Sequence, residues 1–443
     1  MSDLTVSRRA TFKHGIHPDE LKQATNALPI ERMPFVKEYV LPLSMHIGAP
    51  SRPLVEVGQR VERGECIAAA EGYISTASHA PVTGTVSAIE PRPHPSGARL
   101  PAIVIRTDLF SSQRLGERIH PLPGGLSAAE LIGQVQAAGL VGLGGAAFPS
   151  HVKLQVPEGK RAKFVILNGC ECEPYLTCDH RLMLERAEAV LHGLTIIREM
   201  VGAERSYIGV ENNKPDAIAA LRRAGADDPG LTIVPLEVKY PQGAEKMLID
   251  AIFALEIPSG RLPLDLEMLV NNVGTAAALS DLVRTGLPLI ERVVTVSGTG
   301  IRRPANVLVP IGTPLKDLVE YCGGLLPRVR QVILGGPMMG QAQKNLDVPV
   351  VKGSSGVLVF THAVPVIEEQ PCIRCGRCLE ACAMFLNPSR LALMVRADDV
   401  EGLKQYNMPD CFECAACSYT CPSSIPLVQL MRVGKAMVRQ DKS

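Results

Sequence analysis

The sequence predicts a multidomain α/β protein with separate β modules and a small cysteine-bearing helical domain near its C-terminal end. Three observations predict it. Apolar strand-like runs alternate with helix-like stretches between Lys163 and Ala254, the pattern of a parallel α/β sheet. Valine-rich runs broken by Gly and Pro stand on either side, from 41 to 107 and from 291 onward, as short β-strands do. A four-cysteine run then occurs twice between Cys372 and Cys421.

Taken in chain order, residues 1–40 contain FKHGIHPDELK and are too irregular to assign by periodicity. In 41–107 two halves, Val55–Gly72 and His79–Glu90, each place a Gly turn between valine-rich strands. This resembles the barrel-sandwich hybrid, or lipoyl-like, fold. Carrier members of that fold hold a Lys at the tip of the central hairpin. Here the tip reads ISTASHAP, with no Lys, so a structural barrel is expected and not a swinging arm. Residues 108–130 form a connector with Pro and Gly. The α/β domain, 131–290, has strands at Lys163–Asn168, Ser206–Glu211 and Leu231–Val238. They alternate with helices at Arg181–Met200, Lys214–Ala224 and Glu245–Ala254. In 291–345 a strand pair followed by a short helix at Pro314–Tyr321 suggests a β-grasp module. Residues 346–370 link it to a ferredoxin-like α domain at 365–430. The last 20 residues form an amphipathic helix with Lys435 and Arg439, either a solvated face or a docking face.

Composition excludes several function classes. The formal charge is +1, from 46 basic and 45 acidic residues, so there is no electrostatic footprint for nucleic acid. Aromatic content is 4% with no Trp, which disfavours base-stacking platforms. No apolar run approaches the roughly 18 residues of a membrane span. The N-terminal MSDLTVSRRATFKHG lacks an apolar signal core. A cytoplasmic chain with reduced thiols is expected.

The chemistry starts with the cysteines. Cys372, Cys375, Cys378 and Cys382 form one run, and Cys411, Cys414, Cys417 and Cys421 the other. Both read C-x2-C-x2-C-x3-C, the spacing of a two-cluster bacterial ferredoxin. Three thiolates two residues apart let a loop wrap three corners of an iron–sulfur cube, and the fourth Cys of each run serves the other cube. The expected ligand sets are therefore Cys372, Cys375, Cys378, Cys421 and Cys411, Cys414, Cys417, Cys382. Gly376 lets the first loop turn tightly. Ala383 stands where a Pro usually follows the run, whereas Pro422 follows the second. Structural zinc usually pairs two C-x2-C knuckles without the trailing x3-C, and disulfides need an oxidising compartment. Cys66 and Cys322 read as small buried residues. Cys170, Cys172 and Cys178, in NGCECEPYLTCDH, lack a fourth metal ligand at usual spacing.

The second motif is GLVGLGGAAFPSHVKL, Gly139–Leu154. A loop with Gly142, Gly144 and Gly145 lets backbone N–H groups approach a phosphate, and Lys153 offers a point charge. It matches neither the P-loop nor the dinucleotide fingerprint, and taken alone it also reads as a tight turn. The run resembles the flavin loop of the NADH-binding subunit of respiratory complex I. NGCECEP (Asn168–Pro174), YPQGAEK (Tyr240–Lys246) and VNNVGT (Val270–Thr275) are similar to that family's other site segments, in the same order. The barrel and the second cysteine run are absent from complex I. The whole arrangement resembles the C subunit of the Rnf/Rsx electron-transport complex, over nearly all of residues 10–430.

That resemblance implies noncovalent FMN and an NADH site in a Rossmann-like domain, with two [4Fe-4S] clusters. Gly142, Gly144, Gly145 and Lys153 would hold the FMN phosphate. Asn168, Glu171, Asn271, Asn272 and Thr275 would bond the flavin or its ribityl chain. Phe148 would face the dinucleotide, Glu173 would orient the nicotinamide, and Gly243 and Glu245 would line the wall. Taken without the resemblance, Phe148 reads equally as core, Glu173 as a loop acid, and the Asn pair as a helix cap. Cys170 and Ala244 replace acids of the complex I pattern, and His14–Gly15 replaces a usual Gly pair. NADH gives two electrons as hydride, a cluster takes one, and a flavin mediates. The expected activity is NADH:acceptor oxidoreduction, peripheral on the cytoplasmic face of the inner membrane. The expected partners are the membrane subunits of the complex and its ferredoxin-like subunit. Alternatives are a soluble cobalamin-reductase-type flavoprotein and a non-enzymatic iron–sulfur carrier.

Overall fold

The computed structural model describes residues 5–117, 119–362 and 368–441. The first residues of the expected 1–40 segment, one connector residue and the expected boundary at 365 lie outside the described residues.

Two antiparallel sheets build the first β module. One orders Glu38–Pro42, Arg99–Thr107, Gly84–Pro93 and Arg60–Val61, and the other Arg52–Pro53, Cys66–Ala69 and Ser78–His79. Alternate residues point inward, so Tyr39, Leu41, Ile103 and Ile105 meet Val61, Ile67 and Val86 in the core. The ISTASHAP tip is buried at Ser75 and Thr76. Helix Ala128–Ala137 seals it: the Thr76 hydroxyl donates to the Gln136 carbonyl at 3.2 Å, and the Gln136 amide donates to the Ser75 carbonyl at 3.1 Å.

The α/β domain carries a parallel four-stranded sheet, in the order Leu231–Leu236, Arg205–Glu211, Phe164–Gly169, Met268–Asn272. The near-continuous apolar run of Phe164–Gly169 suits a strand covered on both faces. Val165 and Leu167 face helices Ala187–Val201 and Val273–Thr285. Phe164 and Ile166 face helix Glu245–Phe253 on the other side. The helix expected over Arg181–Met200 is two helices, Cys178–Glu185 and Ala187–Val201, broken at Arg186 with φ −131°. There the Arg186 guanidinium makes a bidentate pair with Asp281, at 2.6 and 3.0 Å. Gly193 lies where Ala187–Val201 crosses Val273–Thr285, and a Cβ on it would fall 1.8 Å from the Ala276 carbonyl oxygen.

The next unit is a six-stranded mixed sheet with helix Leu315–Tyr321. Its order is Ile30–Arg32, Ala305–Pro310, Glu291–Ser297, Gly356–Phe360, Gln331–Leu334, Gln341–Ala342. It reaches beyond 291–345 on both sides, because the N-terminal segment and the stretch after 345 each cover a strand edge that would otherwise stay unpaired. The C-terminal unit packs helices Pro388–Arg396, Val400–Gln405 and Leu427–Gln440 around Leu391, Leu403 and Met431. Its two cysteine runs share one backbone course. Arg374 and Glu413 have φ of 57° and 63°, and Gly376 and Ala415 have φ of 78° and 63°.

Three buried cations fasten these units. Lys352 donates from Nζ to the carbonyls of Ala77, at 2.7 Å, and Gly139, at 2.8 Å. Arg292 donates to the carbonyls of Lys352 and Leu143. Lys22 donates to the carbonyls of Glu171, at 2.8 Å, Glu173, at 3.0 Å, and Leu176. The barrel tip, the glycine loop and the Asn168–Pro174 loop are thereby held from outside.

Two outcomes follow from this packing. Gly193→Ala should lower stability by about 1–3 kcal/mol through overpacking, read as a fall in the denaturant midpoint at unchanged slope. Burial pushes Lys352 down from 10.5 to about 7. A base held below its unfolded pKa binds fewer protons when folded, so its contribution to stability rises as pH increases. The window runs from about 7 to 10.5, by up to about 1.4 kcal/mol per pH unit. Lys352→Met should lose that rise, and equal pH slopes in the two proteins would assign the linkage to another group.

Candidate active site

A cavity of ≈ 690 Å³ lies where the units meet, a size suited to a cofactor-sized ligand. The glycine loop supplies Gly144, Gly145 and Ala146; the Asn168 loop supplies Asn168, Glu171, Cys172 and Glu173. The barrel adds His46, Ile47 and His94, the six-stranded unit adds Gly336, Met339 and Gln341, and the cysteine-bearing unit adds Phe412.

Of the expected site residues, Gly144, Gly145, Asn168, Glu171, Glu173, Gly243 and Asn272 line this cavity. Gly142, Phe148, Lys153, Glu245, Asn271 and Thr275 are outside the lining. Gly142 N–H donates to the Phe148 carbonyl at 2.8 Å and closes the loop base. The Thr275 hydroxyl accepts from Leu143 N–H at 2.9 Å. Lys153 is ion-paired with Glu245. Asn271 is buried, and its Nδ2 has no partner among the described residues.

The carboxylates on the wall are engaged. Glu171 accepts from the N–H groups of Asp179, at 2.9 Å, and His180, at 3.3 Å. It thus caps helix Cys178–Glu185, a favourable place for negative charge. Asp179 accepts from Asn272 Nδ2 at 2.7 Å. Burial, then the Glu171 charge, pushes its pKa up to about 7. Glu173 accepts from the N–H groups of Met338, at 3.0 Å, and Met339, at 2.9 Å. Burial raises its pKa while those two N–H groups pull it down. A Cβ on Gly336 would lie 2.3 Å from Glu173 Oε2, so only glycine allows this approach. Burial pushes His46 down to about 4 and also lowers His94, so both are neutral near pH 7.

Lys22, Asp179, His46, His94 and Phe412 were not singled out by sequence reasoning. Asp179 had one signal, an acid in the first turn of a helix. The others had none, because their roles depend on chain segments far away in sequence.

The residues present fit FMN. Gly145 has φ +108°, and a Cβ on it would meet nothing within 4 Å, so bare backbone faces the cavity. Gly144 lies against Asn272, the N-cap of helix Val273–Thr285. Backbone N–H groups and a helix N-terminus together favour a phosphate. No Lys or Arg is among the described residues on the wall.

The cysteines fit iron–sulfur clusters. Cys372, Cys375, Cys378 and Cys421 line one small cavity. Burial raises Cys411, Cys414 and Cys417, the last two to about 12, and Cys382 is close enough to add to each. The structure thus brings Cys421 beside the first run and Cys382 beside the second. Among the described residues no three of His, Cys, Asp and Glu converge closely enough to hold a single metal ion.

Comparison with known proteins agrees. Residues 10–109 match the RnfC barrel sandwich hybrid domain and 135–281 the Nuo51 FMN-binding domain. Residues 293–342 match the SLBB domain and 371–426 the 4Fe-4S dicluster domain. The chain is 45% identical over 407 residues to the C subunit of the proton-translocating ferredoxin:NAD(+) oxidoreductase complex of Clostridium ljungdahlii, covering 90% of this chain and 88% of that protein. It is 43% identical over 386 residues to the Na(+)-translocating counterpart of Acetobacterium woodii, covering 87% of each. The C subunit of the ion-translocating oxidoreductase complex of Rhodobacter capsulatus is 43% identical over 444 residues, covering 98% of this chain and 84% of that protein. The chain therefore belongs to the RnfC family, the C subunits of ion-translocating oxidoreductase complexes.

Proposed function

We propose that the chain exchanges electrons with NADH in this cavity, through FMN, and passes them along two [4Fe-4S] clusters to the membrane subunits of an Rnf-type complex. One observation carries the reading. The Tyr240 hydroxyl donates to the Cys414 carbonyl at 2.8 Å, from a residue that lines the cavity to one in the second cysteine run. The site of Cys411, Cys414, Cys417 and Cys382 is therefore the one beside the flavin. The site of Cys372, Cys375, Cys378 and Cys421 is the outer one.

FMN, when bound, accepts a hydride and releases its electrons singly. The chain's own residues supply position. Gly144, Gly145 and the start of helix Val273–Thr285 hold the phosphate through backbone N–H groups. Arg292 and Thr275 keep Leu143, and so the glycine loop, in place. Asn168 joins the loops across the wall by donating to the Gly243 carbonyl at 2.8 Å. Glu173 orients NADH by fixing the Met338–Met339 turn that forms the far wall, and it moves no proton. No helix among the described residues is long and apolar enough to cross a membrane. Attachment at the cytoplasmic face is through partner subunits, the ferredoxin-like subunit included.

Anaerobically purified protein should contain about eight iron atoms and one flavin per chain. Cys414→Ala should leave flavin bleaching by NADH intact, while the outer cluster stays oxidised in the EPR spectrum. Cys375→Ala should leave the inner cluster reducible. The opposite pattern would reverse the order. Glu173→Gln keeps one acceptor and turns an amide against the second N–H. It should lower kcat/KM for NADH about tenfold, mainly through KM, and unchanged kinetics would reject the orienting role.

A further inference from the structure

The second cysteine run does more than lie near the cavity. It puts one side chain into it. Phe412, between Cys411 and Cys414, is half-buried and lines the cavity wall. No other phenylalanine lines it among the described residues, and Phe148 is outside. The other rings on the wall are already engaged. Tyr240 is 1% exposed and holds the Cys414 carbonyl. His46 Nε2 accepts from Thr76 N–H at 3.3 Å. His94 has Nδ1 2.8 Å from the Ser96 hydroxyl and Nε2 3.0 Å from the Ser44 carbonyl. The loop that carries Phe412 is fixed at every residue around it. Lys435 donates to the Cys411 carbonyl and to the Glu413 carboxylate, both at 2.8 Å. Arg432 donates to the other Glu413 oxygen at 3.1 Å. Tyr240 holds Cys414 from the far side, and Glu413 has φ 63°. An apolar ring on a backbone held this firmly loses little freedom when it meets a ligand. Aromatic rings gain from packing against other planar rings.

We propose that Phe412 packs against the isoalloxazine ring of FMN and fixes that ring against the loop of Cys411 and Cys414. The proposal deepens the reading above and rests on it for the order of the redox centres. The ring beside this loop must release electrons singly, which a flavin does and a nicotinamide does not. The two ends of the flavin are then held by different means. Backbone N–H groups of the glycine loop take the phosphate, and a side chain of the cysteine-bearing unit takes the ring. Phe412 is a positioning residue that touches the cofactor and moves neither proton nor electron.

The test is release of FMN from the full, anaerobically purified chain on dilution, followed by free-flavin fluorescence, with iron measured in parallel. Phe412→Ala should raise the Kd for FMN about tenfold at unchanged iron, the scale of one lost ring contact. Phe412→Tyr keeps the ring and should bind FMN as wild type. Tyr419 is 59% exposed in the same run and outside the cavity lining, so Tyr419→Ala should also bind as wild type. If Phe412→Ala loses iron, Phe412→Leu keeps an apolar side chain at the position. It should keep its iron and still raise the Kd severalfold. Wild-type affinity for FMN in Phe412→Leu and Phe412→Ala would overturn the proposal. Equal weakening in Tyr419→Ala would trace the effect to a loosened loop and overturn it too. Unchanged FMN affinity with a raised KM for NADH would put the ring against the nicotinamide, again overturning it. Phe412-dependent FMN retention in a chain that NADH does not bleach would support the contact and overturn the NADH reading instead.

Discussion

The cavity depends on buried cations that donate to main-chain carbonyls. Lys22, Arg292 and Lys352 are at most 6% exposed. Their bonds run to backbone oxygens of loops, and none of the three forms an ion pair among the described residues. Loop carbonyls lack the partners that helices and sheets provide, and leaving them buried and unpaired is costly. A lysine that reaches two or three of them at once satisfies several acceptors with one side chain. The cost of burying its charge is offset by those bonds only while the geometry holds. The loops are thus fixed in the one arrangement that keeps the cations bonded.

This arrangement explains the barrel. Its tip has no lysine of its own, and a lysine from the far end of the six-stranded unit binds it from inside. Lys352 takes the Ala77 carbonyl, and Gln136 holds the residues before it. A tip sealed in this way cannot swing. What the barrel contributes is a wall: His46, Ile47 and His94 line the cavity, and Ile47 N–H joins the glycine loop directly by donating to the Ala147 carbonyl at 3.3 Å. A fold that elsewhere carries a mobile group serves here as rigid scaffolding.

What was legible in the sequence was local. The cysteine spacing is set within twelve residues, and in the structure Cys421 lies beside the first run and Cys382 beside the second. The apolar strand at Phe164–Gly169 and the glycines of the loop were equally plain. What was hidden depends on distant partners. The break at Arg186 comes from Asp281, 95 residues on. Glu173 finds its N–H donors about 165 residues away. Ile30–Arg32 becomes a strand only because Ala305–Pro310 offers an edge. Lys22 sits in a polar stretch with no periodicity, and nothing nearby shows that it binds three carbonyls.

The N-terminal segment completes the logic. Ile16 and Tyr240 exchange backbone hydrogen bonds, both at 2.9 Å. Phe12 packs with Met247 of the α/β domain and Ala383 of the cysteine-bearing unit. Lys239 donates to the Phe12 carbonyl at 2.8 Å, and the His14 ring lies 3.2 Å from the Cys382 carbonyl. Ile16, Tyr240, Ala381 and Ala416 form one small core, with Cys172 and Cys414 at its margin. This strap joins the cavity to the cysteine-bearing unit on both sides of Tyr240. Passing single electrons asks little of the side chains except a short, constant separation between redox centres. On the electron path proposed above, the residues between Phe12 and His17, irregular by every periodic measure, would belong to the part of the chain that sets it.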